Sequence, residues 1–145
     1  MFKAAIRTLA LVSLFALALS AADKKLIHPD GFPKGGPFSP GILAGNTLYI
    51  AGQVGRDLKT GSISDDFEAE VRQTFNNIGV VLKEAGMSFE NAVAVNVYLT
   101  DMDLFQRMNA VYITFFKDPK PVRTTVGVAR LVGKARIEIT LTAVK

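Results

Sequence analysis

Two charged side chains near the end of the chain are of types suited to small-molecule chemistry. Arg123 alternates with Val126 and Val128 and shares its parity with Thr125 and Gly127, while Glu138 lies between Ile137 and Ile139. A guanidinium holds a carboxylate through two parallel hydrogen bonds in a fixed plane. A carboxylate a short step away can orient or deprotonate water. Together the two suit hydrolysis of a small molecule that carries its own carboxylate. If their segments pair as adjacent antiparallel strands about a midpoint near Arg130-Leu131, positions 123 and 138 face each other on the helix-free side of a sheet. An excursion at Val132-Gly133-Lys134 would shift that register. The same spacing also describes a cross-strand ion pair worth ~0.2–1 kcal/mol when exposed. Spacing alone leaves both readings open.

Composition removes most other chemistry. The 145-residue chain has no cysteine, which excludes disulfides, thiolate catalysis and cysteine-ligated metals. His28 is its one histidine, so histidine clusters are excluded and a catalytic triad is disfavoured. His28 itself reads as an arm residue, because no partner is evident. The first 22 residues stand apart: Lys3 and Arg7 precede an uncharged apolar run, Thr8 to Leu19, and Ser20-Ala21-Ala22 forms a small-residue exit. This is the pattern of a cleaved secretory signal peptide; the run is short against the ~20 residues of a bilayer-spanning helix, which leaves an uncleaved anchor as the lesser alternative. It predicts a periplasmic or secreted protein made of residues 23–145, with no membrane attachment after cleavage. Without the leader, the formal net charge falls from +4 to +2, too mild for a nucleic-acid surface.

The elements that must position Arg123 and Glu138 follow from periodicity. Asp23 to Gly45 is rich in Pro and Gly and reads as an irregular arm. Asn46 to Val54 reads as a strand, with Leu48, Ile50, Gly52 and Val54 on one face and Thr47, Tyr49, Ala51 and Gln53 on the other. A helix is expected over 66–85, opened by Asp65 with Glu68, striped by Phe67, Val71, Phe75, Ile78 and Leu82, and closed by Gly86. Ala92 to Leu99 reads as a strand. Thr100 or Asp101 then caps a second helix that ends near Phe116. Two further strands are expected near 124–129 and 135–144, and the last shows strict alternation. Two helices cover only one face of such an α+β sheet. Tyr49, Ala51, Ala94 and Tyr98 lie on the other, to be closed either by a second subunit or by the Pro/Gly arm, and an oligomer is the expectation.

Several separated segments resemble one family. Gly36-Pro37-Phe38-Ser39, Ile50-Ala51-Gly52-Gln53, Gln73 to Leu82 with Gly86, Met108-Asn109-Ala110-Val111-Tyr112, Pro121-Val122-Arg123, Val128-Ala129-Arg130-Leu131 and Ile137-Glu138-Ile139 are similar to motifs of the reactive intermediate deaminase (Rid, YjgF-like) family. The similarity spans about Ile27 to Lys145. It implies a chorismate-mutase-like fold with a mixed, mostly antiparallel sheet, assembled as a homotrimer with ligand clefts between subunits. It implies hydrolysis of enamines and imines, such as 2-aminoacrylate and 2-imino acids, to 2-oxo acids and ammonia, with no metal and no cofactor because the imine is already electrophilic. By position, Arg123 would bind the substrate carboxylate and Glu138 would place water.

Thr125, Phe38, Gly52 and Asn109 complete the substrate-binding set that the resemblance implies. Asn109 either lines the cleft or bonds within its own helix. Gly52 suits close approach of a neighbour or ligand to the strand. Three positions depart from the family pattern: Phe38 stands for the usual Tyr, Ala51 for Ser and Thr125 for Cys. The first two remove hydroxyls and make the pocket more apolar. Some relatives are described as translation-inhibiting ribonucleases, against which the modest charge and single histidine count. A non-catalytic small-carboxylate binder and a holdase-like interaction trimer are the alternative readings.

Overall fold

The computed structural model describes residues 23–145. The leader assigned to residues 1–22 lies outside the described residues. Six strands form one mixed sheet in the order β1-β2-β3-β6-β4-β5, with two helices on one face. The strands are β1 (Lys24–Ile27), β2 (Gly41–Ala44), β3 (Thr47–Val54), β4 (Ala92–Leu99), β5 (Val122–Gly127) and β6 (Ile137–Val144). The helices are α1 (Phe67–Glu84) and α2 (Phe105–Tyr112). The expected α+β class holds. Among the described residues no helix is long and apolar enough to cross a membrane.

Helix α1 forms as its stripe predicts: Phe67, Val71, Phe75, Ile78 and Leu82 are buried against the sheet. Its cap is Asp66 rather than Asp65, the Asp66 carboxylate accepting from Ala69 N at 2.6 Å. Gly86 ends the helix at φ +68°, where Met87 N donates to Leu82 O at 2.9 Å, a backbone turn that a Cβ disfavours. The second helix is shorter than expected. Asp101 caps a single 3-10 turn (Met102–Leu104), and α2 gives way at Ile113 to turns. Phe75 knits the helices together, stacking on Phe115 at 4.5 Å and meeting Tyr112 edge-on at 5.7 Å.

Strand order departs from expectation in two places. The segment read as an irregular arm supplies β1 and β2, four-residue strands too short to show alternation. More consequentially, β5 and β6 are not neighbours. β6 runs between β3 and β4, antiparallel to both, while β5 lies at the edge, parallel to β4. The β4–α2–β5 run is therefore a crossover unit, in which the helix carries the chain back to start a parallel strand.

Register assigns the faces. Val95 pairs with Arg123 and Leu141, Val97 with Thr125 and Ile139, and Leu99 with Gly127 and Ile137. These rows face the helices. Tyr98 pairs with Glu138 and Val126, and Ala94 with Thr142 and Val122, on the open face. A bulge between Ile50 and Gln53 breaks the alternation expected for β3. Beyond it, Gln53 joins Ile139 on the covered face and is buried, whereas Val54 pairs with Glu138 on the open one. The open face carries Leu26, Tyr49, Val122 and Val126, all exposed in the protomer. The arm does not close it.

Candidate functional site

The residues singled out in the sequence fall into two clusters. Glu138, Gly52 and Phe38 line one pocket, while Arg123, Asn109 and Thr125 gather at the β5 edge beside α2. The pairing of Arg123 with Glu138 within one protomer does not occur. Their side chains belong to opposite faces, with β4 between their strands, because the chain enters β5 as a parallel edge strand rather than as a hairpin partner of β6. Two strand spacings and three residues of offset put their Cα atoms roughly 14 Å apart.

The Glu138 pocket has a volume of about 340 Å³, and its walls include Phe32, Phe38, Leu58 and Val132. Glu138 stands half-buried on the open face of β6. Its carboxylate occupies the space that a side chain at Gly52 would need: a Cβ there would land on Oε1. The bulge at Ala51–Gly52 brings the bare backbone under the carboxylate, so two features of β3 serve one purpose. Strand and loop are held from behind. Asn77 of α1 donates through Nδ2 to Val54 O at 3.0 Å and to Arg56 O at 2.9 Å, and Gln73 Nε2 donates to Asn77 Oδ1 at 2.8 Å. Gly55 lies so close to Glu70 that an added Cβ would meet Glu70 Cγ at 2.6 Å.

Glu70 anchors the entry to β6. It is fully buried and accepts from Arg136 N and Arg136 Nε, both at 2.7 Å, while Arg136 Nη2 donates to Ser64 O at 3.0 Å. This ties α1 to the residue two before Glu138 and fixes the strand on which Glu138 stands.

At the other cluster, Arg123 lies across aromatic faces, its guanidinium carbon 4.5 Å from the Tyr112 ring centroid and 5.5 Å from that of Phe105. Arg123 Nη1 donates to Asn109 Oδ1 at 2.8 Å. Asn109 thus neither bonds within its helix nor stands free in a cleft; it fixes the guanidinium plane. An arginine has five N–H donors. The exposed head of Arg123 keeps the others available, in a geometry suited to a carboxylate. Two buried hydroxyls near it, Thr125 Oγ1 and Tyr112 Oη, have no partner among the described residues. Burial pushes the Tyr112 phenol up, an effect that the positive charge of Arg123 partly offsets.

Sequence reasoning missed Arg56, Asn77 and Tyr112. Asn77 had a signal: it is a polar residue flanked in α1 by the buried positions 74, 75 and 78. Tyr112 entered only as the last residue of the Met108–Tyr112 segment, with no task of its own. Arg56 forms an isolated bridge to Ile63 just beyond the strand and carries no periodic signal.

A mixed six-stranded sheet with two helices on one face, a carboxylate over a bare glycine and an arginine presented at the edge strand define a class of small α+β proteins. A family model described as endoribonuclease L-PSP matches residues 32–145. A RutC family protein of Pyrococcus horikoshii is 44% identical over 124 residues, covering 84% of this chain and 98% of its own. The human 2-iminobutanoate/2-iminopropanoate deaminase is 38% identical over 111 residues, covering 76% and 81%. The crystal structure of the Escherichia coli YjgF gene product superposes with a TM-score of 0.78 at 33% identity, covering 83% and 98%. The chain belongs to this family, the YjgF/RidA family.

Proposed function

We propose that the protein hydrolyses small 2-imino and enamino acids to 2-oxo acids and ammonia, at sites formed where the β5 edge of one protomer meets the Glu138 pocket of the next in a homotrimer. The observation that carries this reading is the division of the site: a carboxylate poised over Gly52 in an apolar pocket, and a guanidinium held ready on the opposite face of the same sheet. One protomer supplies half of what the reaction needs. The apolar open face, with Tyr49 55% and Val126 40% exposed, supports burial against a second copy. The human relative named as a deaminase supports the chemistry.

In this mechanism Arg123 takes the substrate carboxylate in its fixed plane and so places the adjacent C=N carbon. Glu138 of the neighbouring protomer accepts a hydrogen bond from water and directs its oxygen to that carbon. The new C–O bond forms, the nitrogen gathers protons, the C–N bond breaks and ammonia leaves. One water is consumed for each 2-oxo acid released. Phe38 and Thr125 border the two halves, and Gly52 keeps room for the Glu138 carboxylate. The signal-like leader supports export, with this hydrolysis taking place in the periplasm or outside the cell.

The test is a coupled assay on residues 23–145. An amino-acid oxidase generates 2-imino acids, semicarbazide traps them, and the loss of trapped product reports competing hydrolysis. Faster loss, abolished by both Arg123→Ala and Glu138→Ala, is expected. No effect across a panel of amino acids would overturn the hydrolase and leave a carboxylate-binding oligomer.

A further inference from the structure

We infer that Arg56 is a second anion-binding group of the Glu138 pocket and selects substrates with a carboxylate at the far end of the side chain, that is, the imines of acidic amino acids. This rests on the hydrolase reading above and names its substrate class.

Arg56 lines the same pocket as Glu138, together with Phe32, Phe38, Leu58 and Val132. Its backbone is fixed on every side. Arg56 N donates to Val54 O at 2.8 Å, Arg56 O accepts from Asn77 Nδ2 at 2.9 Å, and the residue bridges to Ile63 across the loop. The side chain, by contrast, is uncommitted. Three other basic side chains of the protein are paired: Arg107 with Glu68, Lys134 with Asp65 and Arg136 with Glu70. The Arg56 guanidinium has no hydrogen-bond acceptor and no ion-pair partner among the described residues, although Glu138 lines the same pocket. The adjacent acid is occupied elsewhere: Asp57 accepts from Lys59 N and Thr60 N, both at 2.8 Å, and these backbone bonds hold its carboxyl below the usual range.

A pocket with apolar walls, one carboxylate that places water and one separate guanidinium has two polar tasks to assign. With Arg123 of the neighbouring protomer holding the carboxylate next to the reacting carbon, Arg56 is left for a second anion on the same molecule. Two carboxylates separated by a short methylene chain match this arrangement, and a plain alkyl side chain leaves Arg56 without a partner.

Binding to residues 23–145 is measured by calorimetry with two product-like probes of equal length, 2-oxoglutarate and 2-oxopentanoate, alongside turnover of the corresponding imines. The expected result is at least about 10-fold tighter binding of the dicarboxylate, a margin removed by Arg56→Met and largely kept by Arg56→Lys. Residual binding of 2-oxopentanoate reports that the variant is folded. Equal affinity for both probes in the unaltered protein, or a preference that survives Arg56→Met, would overturn the inference. If no imine is turned over yet the Arg56-dependent preference is present, the hydrolase reading fails and the dicarboxylate site stands. Turnover of alkyl imines without any dicarboxylate preference sinks the dicarboxylate site alone.

Discussion

Arg123 and Glu138 occupy opposite faces of one sheet: Arg123 shares a row with buried Val95, beneath the helices, and Glu138 shares a row with Tyr98 on the open side. No side-chain rotation brings them together within a protomer. Whatever small acid they handle jointly must be met by two copies of the chain.

That relationship predicts complementation. Arg123→Ala and Glu138→Ala should each be inactive alone, yet subunit exchange between the two should restore activity. In the homotrimer proposed above, random mixing gives an interface with an intact Arg123 from one variant and an intact Glu138 from the other about one time in four, so recovery should approach roughly a quarter of the unaltered rate. The measurement is imine hydrolysis before and after mixing under exchange conditions. Zero recovery despite demonstrated mixed trimers would place both residues' tasks inside single protomers.

Gly52→Ala should remove activity without unfolding the protein. The added methyl carbon would lie 1.9 Å from Glu138 Oε1, so the carboxylate must move away. Displacing a positioning group by about 1 Å costs on the order of 100-fold in rate. The check is kcat/KM together with the thermal midpoint. A loss below about 3-fold would mean that the Glu138 position is not critical, given that sensitivity.

Much of this fold was legible because its signals are local. The stripe of α1, the cap at Gly86 and the alternation Ile137, Ile139, Leu141, Ala143 each follow from a few neighbouring residues, and all appear as expected. Long-range pairing was not legible. The last two strands are compatible in sequence with an adjacent antiparallel pair, yet β4 accepts β5 as a parallel neighbour through the α2 crossover and keeps β6 on its other side. Parity correctly separated Arg123 from Val126, but parity does not say which face of the sheet is covered. The bulge at Ala51–Gly52 likewise reversed Gln53 and Val54, because one extra residue moves every later side chain to the other face. Strand parity and spacing placed Arg123 and Glu138 on one face of one protomer, and only the resemblance, with its clefts between subunits, allowed for their separation.

The Glu68–Arg107 pair joins α1 to the α2 helix with bonds of 2.7 and 2.5 Å, and the Arg107 guanidinium holds the Glu68 carboxyl down at about 2 against an ordinary 4.5. A depressed carboxyl contributes stability that is fully present above its unfolded pKa and lost as pH falls toward the folded one. The thermal midpoint of Glu68→Gln should therefore lie below that of the unaltered protein above pH ~5, and the gap should close between about pH 4.5 and pH 2. Because the pair is partly exposed, added salt should narrow the gap as well. A gap that stays constant down to pH 2 would show that the effect of the substitution is unrelated to charge.

Glu70→Ala is the substitution expected to damage the fold and the site together. Its carboxylate is fully buried and receives both the backbone N–H and the guanidinium of Arg136. Removing one member of such a buried pair costs about 3–5 kcal/mol. The Arg136 side chain keeps 32% exposure, so part of its charge can turn to water and the lower end applies. About 3 kcal/mol corresponds to a fall of roughly 10 °C in the thermal midpoint for a domain of this size. The same loss frees the start of β6 two residues before Glu138, so kcat should fall at temperatures where the variant is still fully folded. Unaltered kcat in a destabilised but folded Glu70→Ala protein would show that Glu138 is positioned by β3 and Gly52 alone.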